Sequence, residues 1–209
     1  MNNLLSSEQL ENVVQATLSH YNNNAESFWQ GTKDHDVSQN YRALLSQFEP
    51  GVSLDILDFG CGPGRDLGYF KSLGHRPVGL DGSQEFCKMA KEYSGCDILC
   101  QDFMRLDLPT SAFDAVFANA SLFHVPRQAL PRILKELHKS LRPGGILFSS
   151  NPRGNSEGFS AGRYGNFIEL VEASACFQTA NFRIVSHYYR PEGVSRDQQP
   201  WLAIICKRV

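Results

Sequence analysis

Asp58-Phe59-Gly60-Cys61-Gly62-Pro63-Gly64-Arg65-Asp66 places glycines at three alternate positions between two carboxylates. Glycine there lets the chain turn sharply and bring bare backbone against a ligand. Two further acids follow short apolar runs, Asp81 in Leu80-Asp81-Gly82-Ser83 and Asp102 in Gln101-Asp102-Phe103. A carboxylate at the first position can accept from the hydroxyls of a ribose. Gln101, Asp102 and Phe103 offer polar acceptors and an aromatic face to a purine. Each acid alone could simply cap the next helix, but three at successive strand ends are harder to dismiss.

A dinucleotide site would use G-x-G-x-x-G, and the sixth place counted from Gly60 is Arg65. Asp66 would also repel a pyrophosphate. The amino group and sulfonium of S-adenosylmethionine, by contrast, tolerate carboxylates. The charge pattern favours that methyl donor, with S-adenosylhomocysteine as its product.

The elements that must hold these residues follow from the apolar spacing along the chain. Ser6 and Gln9 form a capping-box pattern, followed by Leu10, Val13, Val14, Thr17, Leu18 and Tyr21 at helical spacing. A polar connection is expected over 22–36, with Phe28 and Trp29 embedded, and a second helix through Val37, Tyr41, Leu44, Leu45 and Phe48. From residue 54, strands expected at 54–59, 77–80, 96–100, 113–118 and 146–150 alternate with helices at 65–73, 84–93 and 130–141. Arg142-Pro143-Gly144-Gly145 reads as a turn. A helix over 166–179 precedes two last strands, 183–189 and 201–206. This alternation predicts an α/β fold: a Rossmann-like, mostly parallel seven-stranded sheet with helices on both faces. Residues 1–52 are expected to form an N-terminal helical cap that contributes to the site, and 53–209 the core, within one compact domain.

The 209 residues are 42% hydrophobic with a formal net charge of −2, which suits a globular chain and gives no general pull towards nucleic acid or an acidic membrane. The start, Met1-Asn2-Asn3-Leu4-Leu5, lacks a basic, apolar leader, and no stretch approaches a membrane span. The six cysteines, Cys61, Cys87, Cys96, Cys100, Cys176 and Cys206, include no CxxC pair. They read as reduced thiols on core elements, which suits the cytoplasm, and no metal site is expected.

The glycine motif, Asp81, Asp102 and Phe113-Asp114-Ala115-Val116-Phe117-Ala118-Asn119-Ala120 resemble the successive motifs of class I S-adenosylmethionine-dependent methyltransferases, from about residue 53 onward. The resemblance implies that the glycine loop holds the methionine part of the cofactor, Asp81 the ribose and the third motif the adenine. The implied cofactor set is Tyr21, Trp29, Thr32, Gly60, Cys61, Gly62, Arg65, Asp81, Gly82, Ser83, Gln101, Asp102, Phe103, Asn119 and Ala120. The last two strands resemble the family's closing antiparallel hairpin.

A narrower resemblance covers nearly the whole chain. Gly31–Asn40, Asn119–Pro126, Ser149–Gly154, Gly162–Gly165, His187–Pro191 and Gln198–Trp201 are similar to the methyltransferase domain of ovothiol synthases. That domain methylates an imidazole nitrogen of 5-thiohistidine to give ovothiol A. The resemblance implies a small amino-acid substrate and a separate sulfoxide synthase acting upstream. Arg153, Arg163 or Arg190 could clamp the substrate carboxylate in bidentate fashion, or be solvated surface residues. Asp34 and Asp36 could take its ammonium, or cap the second helix. His35 and His124 could accept a proton, or be structural. Asp36 and His124 are the candidate catalytic residues, and His35, Asn40, Phe123, Tyr164 and Tyr189 would complete the substrate pocket. Rival readings are a methyltransferase for another small amine, thiol or carboxylate, and a non-enzymatic S-adenosylmethionine-binding partner subunit.

Overall fold

The computed structural model describes residues 4–209; Met1–Asn3, the start of the segment read above for a leader, lie outside the described residues. Helix α1 (Ser7–Asn23) begins at the expected capping box: the Ser6 hydroxyl accepts from Gln9 N, and the Gln9 side chain accepts from Ser6 N. The expected polar connection contains a helix, α2 (Ala25–Thr32). Asn22-Asn23-Asn24 reads as loop in isolation, yet Asn24 both closes α1 and opens α2. Helix α3 (Ser38–Leu45) follows.

The alternating region runs β1 (Asp55–Phe59), α4 (Arg65–Ser72), β2 (Arg76–Asp81), α5 (Gln84–Ser94), β3 (Asp97–Cys100), β4 (Phe113–Asn119), α6 (Leu130–Ser140) and β5 (Leu141–Pro152). The turn at 142–145 lies inside β5, as a register shift opposite Phe113 and Ala115. A hairpin absent from the sequence reading comes next, β6 (Ser156–Ser160) and β7 (Arg163–Phe167), paired antiparallel. It claims Asn166, so α7 (Leu170–Thr179) starts later than expected. Strands β8 (Phe182–Arg190) and β9 (Trp201–Arg208) close the chain.

The sheet has seven strands in the order β3-β2-β1-β4-β5-β9-β8, all parallel except β9, which runs antiparallel to both its neighbours, β5 and β8. Alternate residues of the central strands feed opposite cores. Leu57, Phe59, Val116, Ala118 and Leu147 meet Ile133, Leu134 and Leu137 of α6 and Phe177 of α7. Ile56, Ala115, Phe117, Ile146 and Phe148 meet Phe70 of α4 and Tyr41 and Leu44 of α3. Thus α3 belongs to a sheet-covering layer, and the boundary drawn at residue 52 does not separate two cores. All six cysteines are free, Cys61, Cys96 and Cys206 buried but Cys100 exposed. No helix among the described residues is long and apolar enough to cross a membrane.

Candidate active site

Strand order reverses direction between β1 and β4, and ligands of open α/β sheets bind outside the carboxyl ends of the strands at such a point. A cavity of about 430 Å³ lies there. Its floor is the Gly60–Gly62 turn and the ends of β2, β3 and β4, and α1 and α2 roof it with Tyr21, Phe28 and Trp29. At Gly60, φ is +78° and an added Cβ would stand 2.3 Å from the Ser121 Cβ, so only glycine lets the loop after β1 pass the loop after β4.

Of the expected cofactor residues, Tyr21, Trp29, Thr32, Gly60, Cys61, Gly62, Arg65, Asp81, Gly82, Asp102, Phe103, Asn119 and Ala120 line this cavity. Ser83 and Gln101 do not. The Ser83 hydroxyl accepts from Phe86 N as the cap of α5 and donates to Asn22 at 2.7 Å. The Gln101 side chain is tied to the backbone of Asp107. Both are structural roles that a strand-end motif does not distinguish from ligand contact.

The acids of the site differ sharply. Asp81 accepts from Gly62 N and Ser83 N, each at 2.9 Å, which fixes the carboxylate, while burial raises its pKa to about 6. Asp58 is buried with Oδ2 unpartnered; burial, with Asp66 nearby, holds its pKa well above the usual range. Asp66 is bound to Arg65 at 2.7 Å and accepts from Tyr41 and Asn119. Its charge is therefore matched, and the repulsion of a pyrophosphate expected from it does not hold. With its pKa raised, Asp58 is a neutral acid, and it is not among the residues that line the cavity.

Of the substrate-side candidates, His35, Phe123, His124, Arg163 and Arg190 line the cavity. Asp36 is fully exposed and accepts from Ser38 N at 2.9 Å, a local turn contact just ahead of α3, whose N-cap is Val37. Asn40 is buried beneath the wall, where its Oδ1 accepts from Tyr188 and Arg190. Arg153 is saturated by Glu169 and by the carbonyls of Arg196 and Gln199. Tyr189 lies under the Arg196 guanidinium, and the Tyr164 hydroxyl donates to Glu157. Arg163 and Arg190 instead pair with neutral groups: Arg163 with the Tyr21 hydroxyl and ring, Arg190 with Asn40 and the Trp201 ring. Among the described residues neither forms an ion pair with a carboxylate. Trp201 also lines the cavity, and no local signal in the sequence marks it for the site.

The cavity thus lies at the carboxyl ends of the parallel strands of a Rossmann-like α/β fold. A 1,6-didemethyltoxoflavin-N1-methyltransferase from Burkholderia thailandensis, solved with 1,6-didemethyltoxoflavin and S-adenosylhomocysteine, superposes with a TM-score of 0.79 at 20% identity, over 100% of this chain and 93% of that one. Residues 57–149 match a family model described as a methyltransferase domain. A sterol 24-C-methyltransferase of Yarrowia lipolytica is 31% identical over 58% of this chain and 32% of its own length. A malonyl-[acyl-carrier protein] O-methyltransferase of Erwinia pyrifoliae is 32% identical over 56% and 45%. The chain therefore spans less than half the length of these curated relatives.

Proposed function

We propose that the chain is an S-adenosylmethionine-dependent methyltransferase acting on a small anionic or zwitterionic acceptor, and that the acceptor is 5-thiohistidine, methylated on an imidazole nitrogen. One observation carries the acceptor class. The cavity has carboxylates, Asp81 and Asp102, where the cofactor motifs lie, and two guanidiniums elsewhere on its wall, Arg163 and Arg190, whose hydrogen bonds go to neutral groups, with Asp36 the acid nearest in charge to Arg190. A guanidinium with no direct ion pair in a half-buried site is stabilised by an incoming anion.

Asp81 would hold the ribose and the Gly60–Gly62 backbone the methionine part. Bound S-adenosylmethionine supplies an electrophilic methyl group on a sulfonium. The protein's own contribution is to exclude water with Tyr21, Phe28 and Trp29, to fix the acceptor's carboxylate on an arginine, and so to aim one nucleophile. For 5-thiohistidine, aiming matters because the soft ring sulfur competes with nitrogen.

Incubation with labelled S-adenosylmethionine and 5-thiohistidine, followed by mass and NMR location of the methyl, tests both layers. Methyl on a ring nitrogen is expected. The malonyl-[acyl-carrier protein] relative favours a second reading, transfer to a carboxylate, which the same experiment would reveal as a base-labile ester. Binding of S-adenosylhomocysteine without transfer to any small amine, thiol or carboxylate would make the chain a binding subunit.

A further inference from the structure

Three elements converge on the Tyr21 hydroxyl. It lies 2.7 Å from His124 Nε2, in the turn after β4, and accepts from Arg163 Nη1 of β7 at 3.3 Å. On the far side of the imidazole, Nδ1 lies 2.6 Å from the carbonyl oxygen of Tyr164. A carbonyl only accepts, so Nδ1 carries the ring hydrogen and Nε2 a lone pair. The Tyr21 hydroxyl therefore donates to Nε2. Its oxygen keeps a second lone pair besides the one facing Arg163, and all three side chains line the cavity.

We propose that Tyr21 takes the proton from the methyl acceptor and passes its own to His124, which acts behind it without touching the acceptor. This rests on the reading of the chain as a methyltransferase for an imidazole ring. As the ring nitrogen without a hydrogen bonds to the methyl carbon, the carbon–sulfur bond breaks and its electron pair stays on sulfur. The proton on the other ring nitrogen moves to the Tyr21 oxygen, and the hydroxyl proton moves to His124 Nε2. The positive charge lost from sulfur ends on the imidazolium, which returns its proton to solvent after product leaves.

The charged and titratable surroundings suit this. Tyr21 is faced by His124, by Arg163 and by Asp81 at the end of β2. His124 is faced by Tyr21, Arg163 and His20 of α1. Burial, with smaller contributions from Arg163 and His20, lowers the His124 pKa to about 4, so at neutral pH it is an empty proton acceptor. A carboxylate seated on Arg163 would offset that guanidinium's field. The imidazole then becomes more basic only when an acceptor is in place.

Tyr21→Phe and His124→Gln test the relay. A glutamine can accept the Tyr21 hydrogen bond but cannot hold the proton. With 5-thiohistidine as acceptor, kcat is expected to fall by about 10² or more in each, within the range for a lost proton-transfer group. In His124→Gln, which leaves Tyr21 and its bond to Arg163 in place, KM and S-adenosylhomocysteine affinity by calorimetry should stay within about twofold. The wild-type kcat should be flat from pH 6 to 8, whereas His124→Gln should rise with pH, because solvent hydroxide must take the proton. Unchanged kcat in either variant, or a uniform loss with no change in pH profile, overturns the relay. If the wild type transfers no methyl to 5-thiohistidine, the acceptor reading fails, and ¹⁵N-histidine NMR of the protein with S-adenosylhomocysteine decides the relay by itself. It requires the Nδ1–H tautomer of His124 at neutral pH and an Nε2 signal displaced by Tyr21→Phe. An Nε2–H tautomer, or an unmoved signal, overturns it.

Discussion

Asn40 and Asn119 meet side chain to side chain, Asn40 Nδ2 donating to Asn119 Oδ1 at 2.9 Å. The pair joins α3 to the end of β4. It links the Arg65–Asp66 ion pair, through Asn119, to Tyr188 and Arg190, through Asn40. Asn40→Leu strips partners from both sides of a buried network, so unfolding free energy should fall by about 1–3 kcal/mol. Asn40→Asp keeps the shape but gives Arg190 an anion of its own. Steady-state kinetics should then show acceptor KM raised roughly tenfold, while S-adenosylhomocysteine affinity holds.

Arginine variants should separate the three candidates. Arg190→Gln and Arg163→Gln should each raise KM for 5-thiohistidine, the one that grips the carboxylate by roughly ten- to a hundredfold, and should spare the decarboxylated analogue comparatively. Arg153→Gln should leave KM alone and lower thermal stability, because it breaks the partly buried pair with Glu169. Equal treatment of both acceptors by the Arg163 and Arg190 variants would move carboxylate recognition elsewhere.

If Asp81 holds the ribose as proposed, cofactor binding should depend on pH. Its folded pKa of about 6 lies above the ordinary carboxylate value. Hydroxyls of a ribose prefer its ionised form, so affinity is full above that pH and falls as pH drops through it, by at most tenfold per unit. The same raised pKa costs the free protein stability as pH rises from the unfolded value towards 6, the opposite sign. Calorimetric titration of S-adenosylhomocysteine from pH 7.5 to 5.5 should show the weakening in the wild type. Asp81→Asn should be weak throughout and flat.

The two loop glycines should fail differently. Gly60→Ala drives a methyl into Ser121 and should cost both stability and cofactor binding. Gly62→Ala meets only Phe28 at 3.9 Å. Its positive φ of 53° should cost about 1 kcal/mol, yet the new methyl faces the ligand's approach. Thermal melts beside calorimetry separate the two, and normal binding by both variants would reduce the loop to a plain turn.

Asp36→Asn should change neither KM nor kcat, because the carboxylate is in solvent and serves the start of α3. This replaces the catalytic role expected from its polar neighbourhood. Sequence carries the glycine loop, Asp81 and the β–α alternation well, since each depends on residues adjacent in the chain. It cannot rank Asp36 against Asn40, which differ only in which turn of the chain points inward. Nor can it single out Arg153 as satisfied, because its partners Glu169, Arg196 and Gln199 arrive from other elements. The β6–β7 hairpin was hidden by its composition: Ser156–Phe167 has glycines at 158, 162 and 165 and little alternation. Without that hairpin, the Tyr164 carbonyl that sets the His124 tautomer is invisible.

The cavity's floor comes from the strand ends between residues 58 and 121, whereas Tyr21, Arg163, Arg190 and Trp201 come from segments flanking that stretch in the chain. If the proposed roles hold, most of the donor grip is written in the central block, and the arginines that would choose the acceptor in the block after it. Drift in that later block could retarget the cavity to a new molecule with little change to the donor grip. The matched region at 57–149 would then be common property of many chemistries, and the flanks the part that makes each one distinct.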